Sequence, residues 1–131
     1  MALTITTVLA GLMGFLLLVL GARVVAARRA GSGDDTSEKI VARRMRGQAN
    51  FVEYVPLALI LFALLEYQGA NSLFLAALAI LFAFARIVHG YAFAFSDHWP
   101  FGRYYGTLIT FIIVAILSCS VIVVAVMDLL G

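Results

Sequence analysis

The sequence predicts an all-α integral membrane protein, a single four-transmembrane-helix bundle with up-down topology. Three observations carry this reading. The 131 residues are 64% hydrophobic and only 12% charged, with a mean hydropathy of +1.08, whereas about a quarter of the residues of an average soluble domain are charged. The apolar residues fall into four long runs separated by short polar segments, so residues 1–131 read as one membrane domain without a soluble appendage. All nine Lys and Arg residues fall on one side of this arrangement, seven from Arg23 to Arg46, then Arg86 and Arg103.

The first helix is expected over about residues 2–27. Ala2 to Ala22 is uncharged for twenty-one residues before Arg23, Arg28 and Arg29, enough to cross the hydrocarbon core. A cleaved signal carries its basic residues ahead of a short apolar region; here they follow a long one, so the segment is expected to remain as the first span. Ala30 to Lys39, with Gly31, Ser32, Gly33, Asp34 and Asp35, has turn chemistry, and Asp35, Thr36 or Ser37 is placed to cap the next helix.

The second helix is expected over residues 37–67. Its basic first turns, with Lys39, Arg43, Arg44 and Arg46, lie at headgroup level. Pro56 removes the helical donor to the Val52 carbonyl and predicts a kink there. Glu66 to Ser72 reads as a short second loop without Lys or Arg, which makes its flanking helices antiparallel neighbours. The third helix, residues 73–95, is apolar down to Arg86 and His89. Ser96 to Gly102 forms the third loop, with Trp99 as an interfacial anchor. The fourth helix, residues 103–129, opens with Arg103, Tyr104 and Tyr105 and stays uncharged to Met127.

The one-sided basic residues predict both termini outside and the first and third loops in the cytoplasm; with the compact loops they point to a bacterial inner membrane, with a eukaryotic endomembrane as the alternative. The sequence pI of about 9.0 does not indicate a nucleic-acid partner, because the basic residues flank spans and form no aromatic-interleaved tract. Cys119 is the only cysteine, which excludes an intramolecular disulfide; it reads as a small buried apolar residue.

One stretch conflicts with its depth. Only twelve uncharged residues, Tyr54 to Leu65, separate Glu53 from Glu66, so a span of about twenty residues must also take in Asn50 and Glu53. A charge at that depth costs roughly 2.5–3.5 kcal/mol and is normally kept where it faces other helices or a wet cavity. On an ideal helix Arg43, Arg46, Asn50, Glu53 and Tyr54 share about 100° of arc. Arg86, His89 and Phe93 form a stripe on the third helix, and Arg103 begins the fourth at the same level. Arginines paired with carboxylates, and Glu53 with an ammonium, would suit a small zwitterionic ligand. Arg43 and Arg44 taken singly are expected at a helix end as topology signals, and an internal ion pair of Glu53 with Arg46 or Arg86 is the structural alternative.

Arg46-x-Gln48-x-Asn50-x-x-Glu53-Tyr54-x-Pro56 resembles the signature of the membrane-associated proteins in eicosanoid and glutathione metabolism, the MAPEG family. Arg28-Arg29, the Arg86-x-x-His89 end of the third helix and Arg103 also resemble its pattern, so the likeness covers essentially the whole chain. The resemblance implies a homotrimer with glutathione as co-substrate between subunits near the cytoplasmic face. Arg46, Asn50, Glu53 and Tyr54 would hold the tripeptide, Gln48 and Arg28 would assist, and Arg86 and His89 would add contacts or order the site. Arg103 would be the catalytic thiol activator. It implies a transferase or peroxidase acting on lipophilic electrophiles or lipid hydroperoxides.

Phe93 stands where many members have tyrosine, and Tyr91 projects about 160° away from it on an ideal helix. This motivates the alternative of a non-catalytic protein that binds lipid or glutathione. A small multidrug transporter is a further alternative, but its carboxylate is expected on the first helix, whose run is uncharged.

Overall fold

A computed structural model describes residues 2–131. The chain forms four helices, α1 (Thr4–Ala30), α2 (Asp35–Tyr67), α3 (Ser72–Ala94) and α4 (Pro100–Leu130), with no strand among the described residues. Each is long and apolar enough to cross a membrane. The protein is therefore an all-α, four-helix integral membrane protein.

The helix ends differ from the sequence expectation for local reasons. α1 runs on through Arg28 and Arg29 until the extended Gly31 stops it. Asp34, rather than any of the three residues after it, caps α2: its carboxylate accepts from the Ser37 amide at 2.9 Å, so the helix begins at Asp35. Asn71 caps α3 in the same way through the Phe74 amide at 3.0 Å. α4 starts at Pro100, which fits a first turn because that position needs no amide donor. α2 is one unbroken helix through Pro56, and no interruption of helical structure marks the expected kink.

Glu66 belongs to the last turn of α2, not to a loop. Its two carboxylate oxygens accept from the amides of Ile5 and Thr6, each at 2.8 Å. Leu3 provides no side-chain cap for α1, so an acid from the neighbouring helix satisfies donors that a helix start leaves open. After Glu66 the chain reverses at Gly69, whose φ of 78° is the left-handed conformation that favours glycine.

α2 and α3 pack against each other at the centre. α1 lies against both on one side and α4 against both on the other, and α1 and α4 do not touch. Each outer helix buries a narrow stripe; on α4 it is Gly102, Gly106, Thr110, Ile113 and Leu117, recurring every three or four residues. The core joins Leu9, Met13 and Leu20 of α1 to Phe51, Val55 and Phe62 of α2, Leu75 and Phe82 of α3, and Ile113 and Leu117 of α4. Phe62 and Phe82 meet edge to face with centroids 6.0 Å apart. Phe15, Leu18, Ile80, Phe84 and Ile122 are among the large apolar side chains left outside, as expected where hydrocarbon is the solvent. Cys119 is also exposed. It projects about 160° from Leu117 on an ideal helix, which corrects the expectation of a buried thiol.

Two glycines set how closely the helices approach. A Cβ on Gly47 would lie 2.5 Å from Cβ of Phe93, and one on Gly106 would lie 2.6 Å from Cβ of His89 and 3.0 Å from the Ala85 carbonyl oxygen. Without hydrophobic driving force between helices in lipid, such close backbone packing is a main source of association. It draws α2 and α4 onto the His89–Phe93 turn of α3.

Candidate functional site

The sequence-derived site residues separate into an inner layer, an outer cleft and a second face. The inner layer lies inside the bundle. Arg86 is 0% exposed. Its Nη1 donates to Asn50 Oδ1 at 3.0 Å and, more weakly, to Thr110 Oγ1 at 3.5 Å. The Thr110 hydroxyl itself donates to the Gly106 carbonyl at 2.7 Å. The guanidinium carbon lies 5.5 Å from the centre of the Phe51 ring. His89, also buried, packs against Phe93 with centroids 4.8 Å apart. Arg86 and His89 therefore stand behind Asn50 and Phe93.

The outer cleft, about 540 Å³, opens where the start of α2 meets loop three and the start of α4. Lys39, Arg43, Arg46, Phe93, Asp97 and Arg103 line it. Arg43 donates to the Asp97 carboxylate in the only ion pair among the described residues. That hydrogen bond, with the Arg43 charge, holds the Asp97 carboxyl below its usual range. Arg103 lies over Phe93, its guanidinium carbon 4.7 Å from the ring centre. Its Nη2 reaches the carbonyls of Ala92 and Asp97 only at 3.5 Å. The cation is thus positioned by stacking and loosely held by acceptors, which leaves donors for a bound anion.

Arg103 also borders a separate groove of about 460 Å³ along the outer face of α4, with Pro100, Tyr104, Thr107, Leu108 and Phe111. Phe111 contacts Tyr54 of α2, ring centroids 5.1 Å apart. Arg103 consequently lines both a basic cleft and a mainly apolar groove on the outer face of α4.

Glu53 is exposed and makes no ion pair within the described chain. This corrects the expected internal pairing: Asn50 receives the Arg86 donor, and Arg46 is exposed at the cleft. Arg28 and Gln48 lie elsewhere. They line a groove of about 530 Å³ between α1 and α2, where Arg28 reaches the Met45 sulfur at 3.3 Å. On an ideal helix Gln48 projects about 160° from Arg46, so one chain does not bring the two together. Tyr91 stacks with Phe95 and meets Trp99, away from Arg103, and does not take the place of a tyrosine at position 93.

Sequence reasoning missed Thr110, Asp97 and the two close-packing glycines. Thr110 had a partial signal, a hydroxyl four residues after Gly106 on the same helix face, which Thr107 one residue after that glycine does not share. Asp97 had one as well, being the only acid between α3 and α4. The partners of Gly47 and Gly106 lie on another helix, and no local pattern announces them.

A four-span helical bundle with a polar interior turn and a basic cleft at one end defines the class, a helical integral membrane protein. The MAPEG family model matches residues 6–123, and the chain belongs to the MAPEG family, the membrane-associated proteins of eicosanoid and glutathione metabolism. Comparison with curated proteins and with solved structures gives no match.

Proposed function

We infer that the protein is a glutathione-dependent membrane transferase or peroxidase acting on lipophilic electrophiles or lipid hydroperoxides. The observation that carries this reading is Arg103, shared between the basic cleft and the apolar groove on α4. A polar thiol peptide fits the first environment and a bilayer-dissolved substrate fits the second.

In this reading Arg46 pairs with a carboxylate of glutathione, Asn50 and Tyr54 add hydrogen bonds, and Glu53 takes the ammonium. A thiol with a pKa of about 8.5 is mostly protonated at neutral pH, and an adjacent guanidinium favours the thiolate that acts as nucleophile. Arg103 supplies that guanidinium. In conjugation, sulfur forms a bond to an electrophilic carbon and the displaced electron pair leaves with the departing or ring-opened group. In peroxide reduction two glutathiones become a disulfide as the hydroperoxide becomes an alcohol and water.

The separation of Arg28 and Gln48 from Arg46 supports a site shared between subunits, and the exposed Glu53 supports the same conclusion. A homotrimer would bring the Arg28–Gln48 face of one subunit to the Arg46–Glu53 face of the next, with loops one and three on the cytoplasmic side of a bacterial inner membrane and both termini outside. Glutathione binding to the detergent-solubilised protein, to Arg46→Ala and to Glu53→Gln tests the reading. It requires binding by the wild type and a loss in each variant. Unchanged affinity in both variants removes the site, and no wild-type binding removes the function.

One observation favours a second reading. Phe93 presents an apolar ring to Arg103 and supplies no hydroxyl at that position, which suits a cleft that holds lipid or glutathione without turnover. Arg103-dependent conjugation of a lipophilic electrophile would exclude it.

A further inference from the structure

Arg86 is the one charged side chain that is fully buried among the described residues. It forms no ion pair among the described residues, where the single ion pair joins Arg43 to Asp97 outside the inner layer. Its Nε and Nη2 have no hydrogen-bond partner among the described residues. Its single short hydrogen bond runs from Nη1 to Asn50 Oδ1, at 3.0 Å. A guanidinium has donors and no acceptor, so it can hold only the oxygen end of the Asn50 amide. The orientation of that amide is therefore fixed by chemistry, although oxygen and nitrogen of an amide are nearly alike in shape.

The consequence appears on the other side of Asn50. This residue is only partly buried, and its side chain makes no other hydrogen bond among the described residues. With its oxygen committed to Arg86, its amide nitrogen keeps both donors free, and on an ideal helix Asn50 shares about 60° of arc with Arg46 and Glu53. We propose that Arg86 is a positioning residue that locks Asn50 as a donor, so that the subsite at Asn50 accepts an acceptor-only group of the ligand, a carboxylate or a peptide carbonyl. This rests on the glutathione reading and deepens it. Arg46 and Asn50 then address acceptor groups, leaving Glu53 for the ammonium.

The arrangement makes stability and binding respond in opposite directions to one substitution. Asn50→Asp places a carboxylate against the uncompensated Arg86, which gives the buried cation a counter-ion. The same change replaces the outward amide donors with an oxygen that repels a ligand carboxylate. In detergent, the ligand-free Asn50→Asp protein should melt at a higher temperature than the wild type, while its affinity for glutathione should fall about tenfold to hundredfold, the range for losing a hydrogen bond to a charged group. A merely structural role for Asn50 would move both quantities in the same direction.

A double-mutant cycle separates positioning from direct contact. Arg86→Met should weaken glutathione binding in the wild-type background and have no further effect in an Asn50→Ala background, because it acts through that amide. Glutathione affinity in Asn50→Asp equal to that of a wild type that binds would overturn the donor assignment alone. A lower melting temperature for Asn50→Asp would overturn the Arg86–Asn50 arrangement. Additive losses in the cycle would overturn the positioning role. Absence of binding by the wild type would overturn the functional reading itself, and the melting comparison would still decide the Arg86–Asn50 contact.

Discussion

Arg103 and Asp97 show how much single side chains decide at the mouth of the cleft. Arg103→Ala removes the proposed thiolate partner; conjugation should fall about hundredfold, comparable to losing one donor to a developing anion, while glutathione affinity changes by only a few fold. Rates and binding isotherms on the same purified variant check this. Asp97 gives a pH signature. Its carboxyl is lowered by the Arg43 hydrogen bond and charge, so its contribution to stability is fully present above the unfolded value of about 3.9 and disappears as pH falls through the folded value. The difference in melting temperature between wild type and Asp97→Asn should be constant from about pH 7 to 5 and close at lower pH. The residue types of the candidate site stand out in the sequence, because Asn50 and Glu53 are anomalous at their expected depth. Their partners do not. The choice of Asn50 over Glu53 by Arg86 depends on the approach of α3 to α2, which is set by a glycine and a phenylalanine far apart in sequence.

Individual helices were readable from apolar run length, yet their ends and contacts rest on atoms that pattern does not encode. Asp34 ends the first loop and Asn71 the second through caps within three residues, whereas Glu66 caps a helix sixty residues away. Glu66→Ala leaves the first amides of α1 unsatisfied and should cost about 1 kcal/mol, the usual scale of a lost N-cap. Hydrogen exchange should accelerate at Ile5 and Thr6 and remain unchanged in the middle of α1. Gly47→Ala and Gly106→Ala should each cost about 1–3 kcal/mol through overpacking, since the added methyl meets Phe93 in one case and His89 in the other. Thermal unfolding in detergent measures both. Gly11→Ala is the control, since nothing lies within 4 Å of its added Cβ.

At the level of the whole molecule, the four-span architecture followed from hydropathy because hydrocarbon admits few alternatives to a helical bundle. What hydropathy could not convey is the order of packing, in which α2 and α3 are central and α1 never meets α4. That order places Arg28 and Gln48 on one face and Arg46, Glu53 and Arg103 on another, although the motif puts Gln48 only two residues from Arg46. In the function proposed above, a site shared between copies would reconcile the motif with the single chain and would put the reactive sulfur beside Arg103, which borders both the cleft and the groove on α4. The most direct test of this central claim is the pH titration of thiolate absorbance for glutathione bound to the wild type and to Arg103→Ala. In the wild type the bound thiol should ionise below its ordinary value of about 8.5, and in the variant it should return toward that value with the peptide still bound. The same titration curve in both proteins would contradict it.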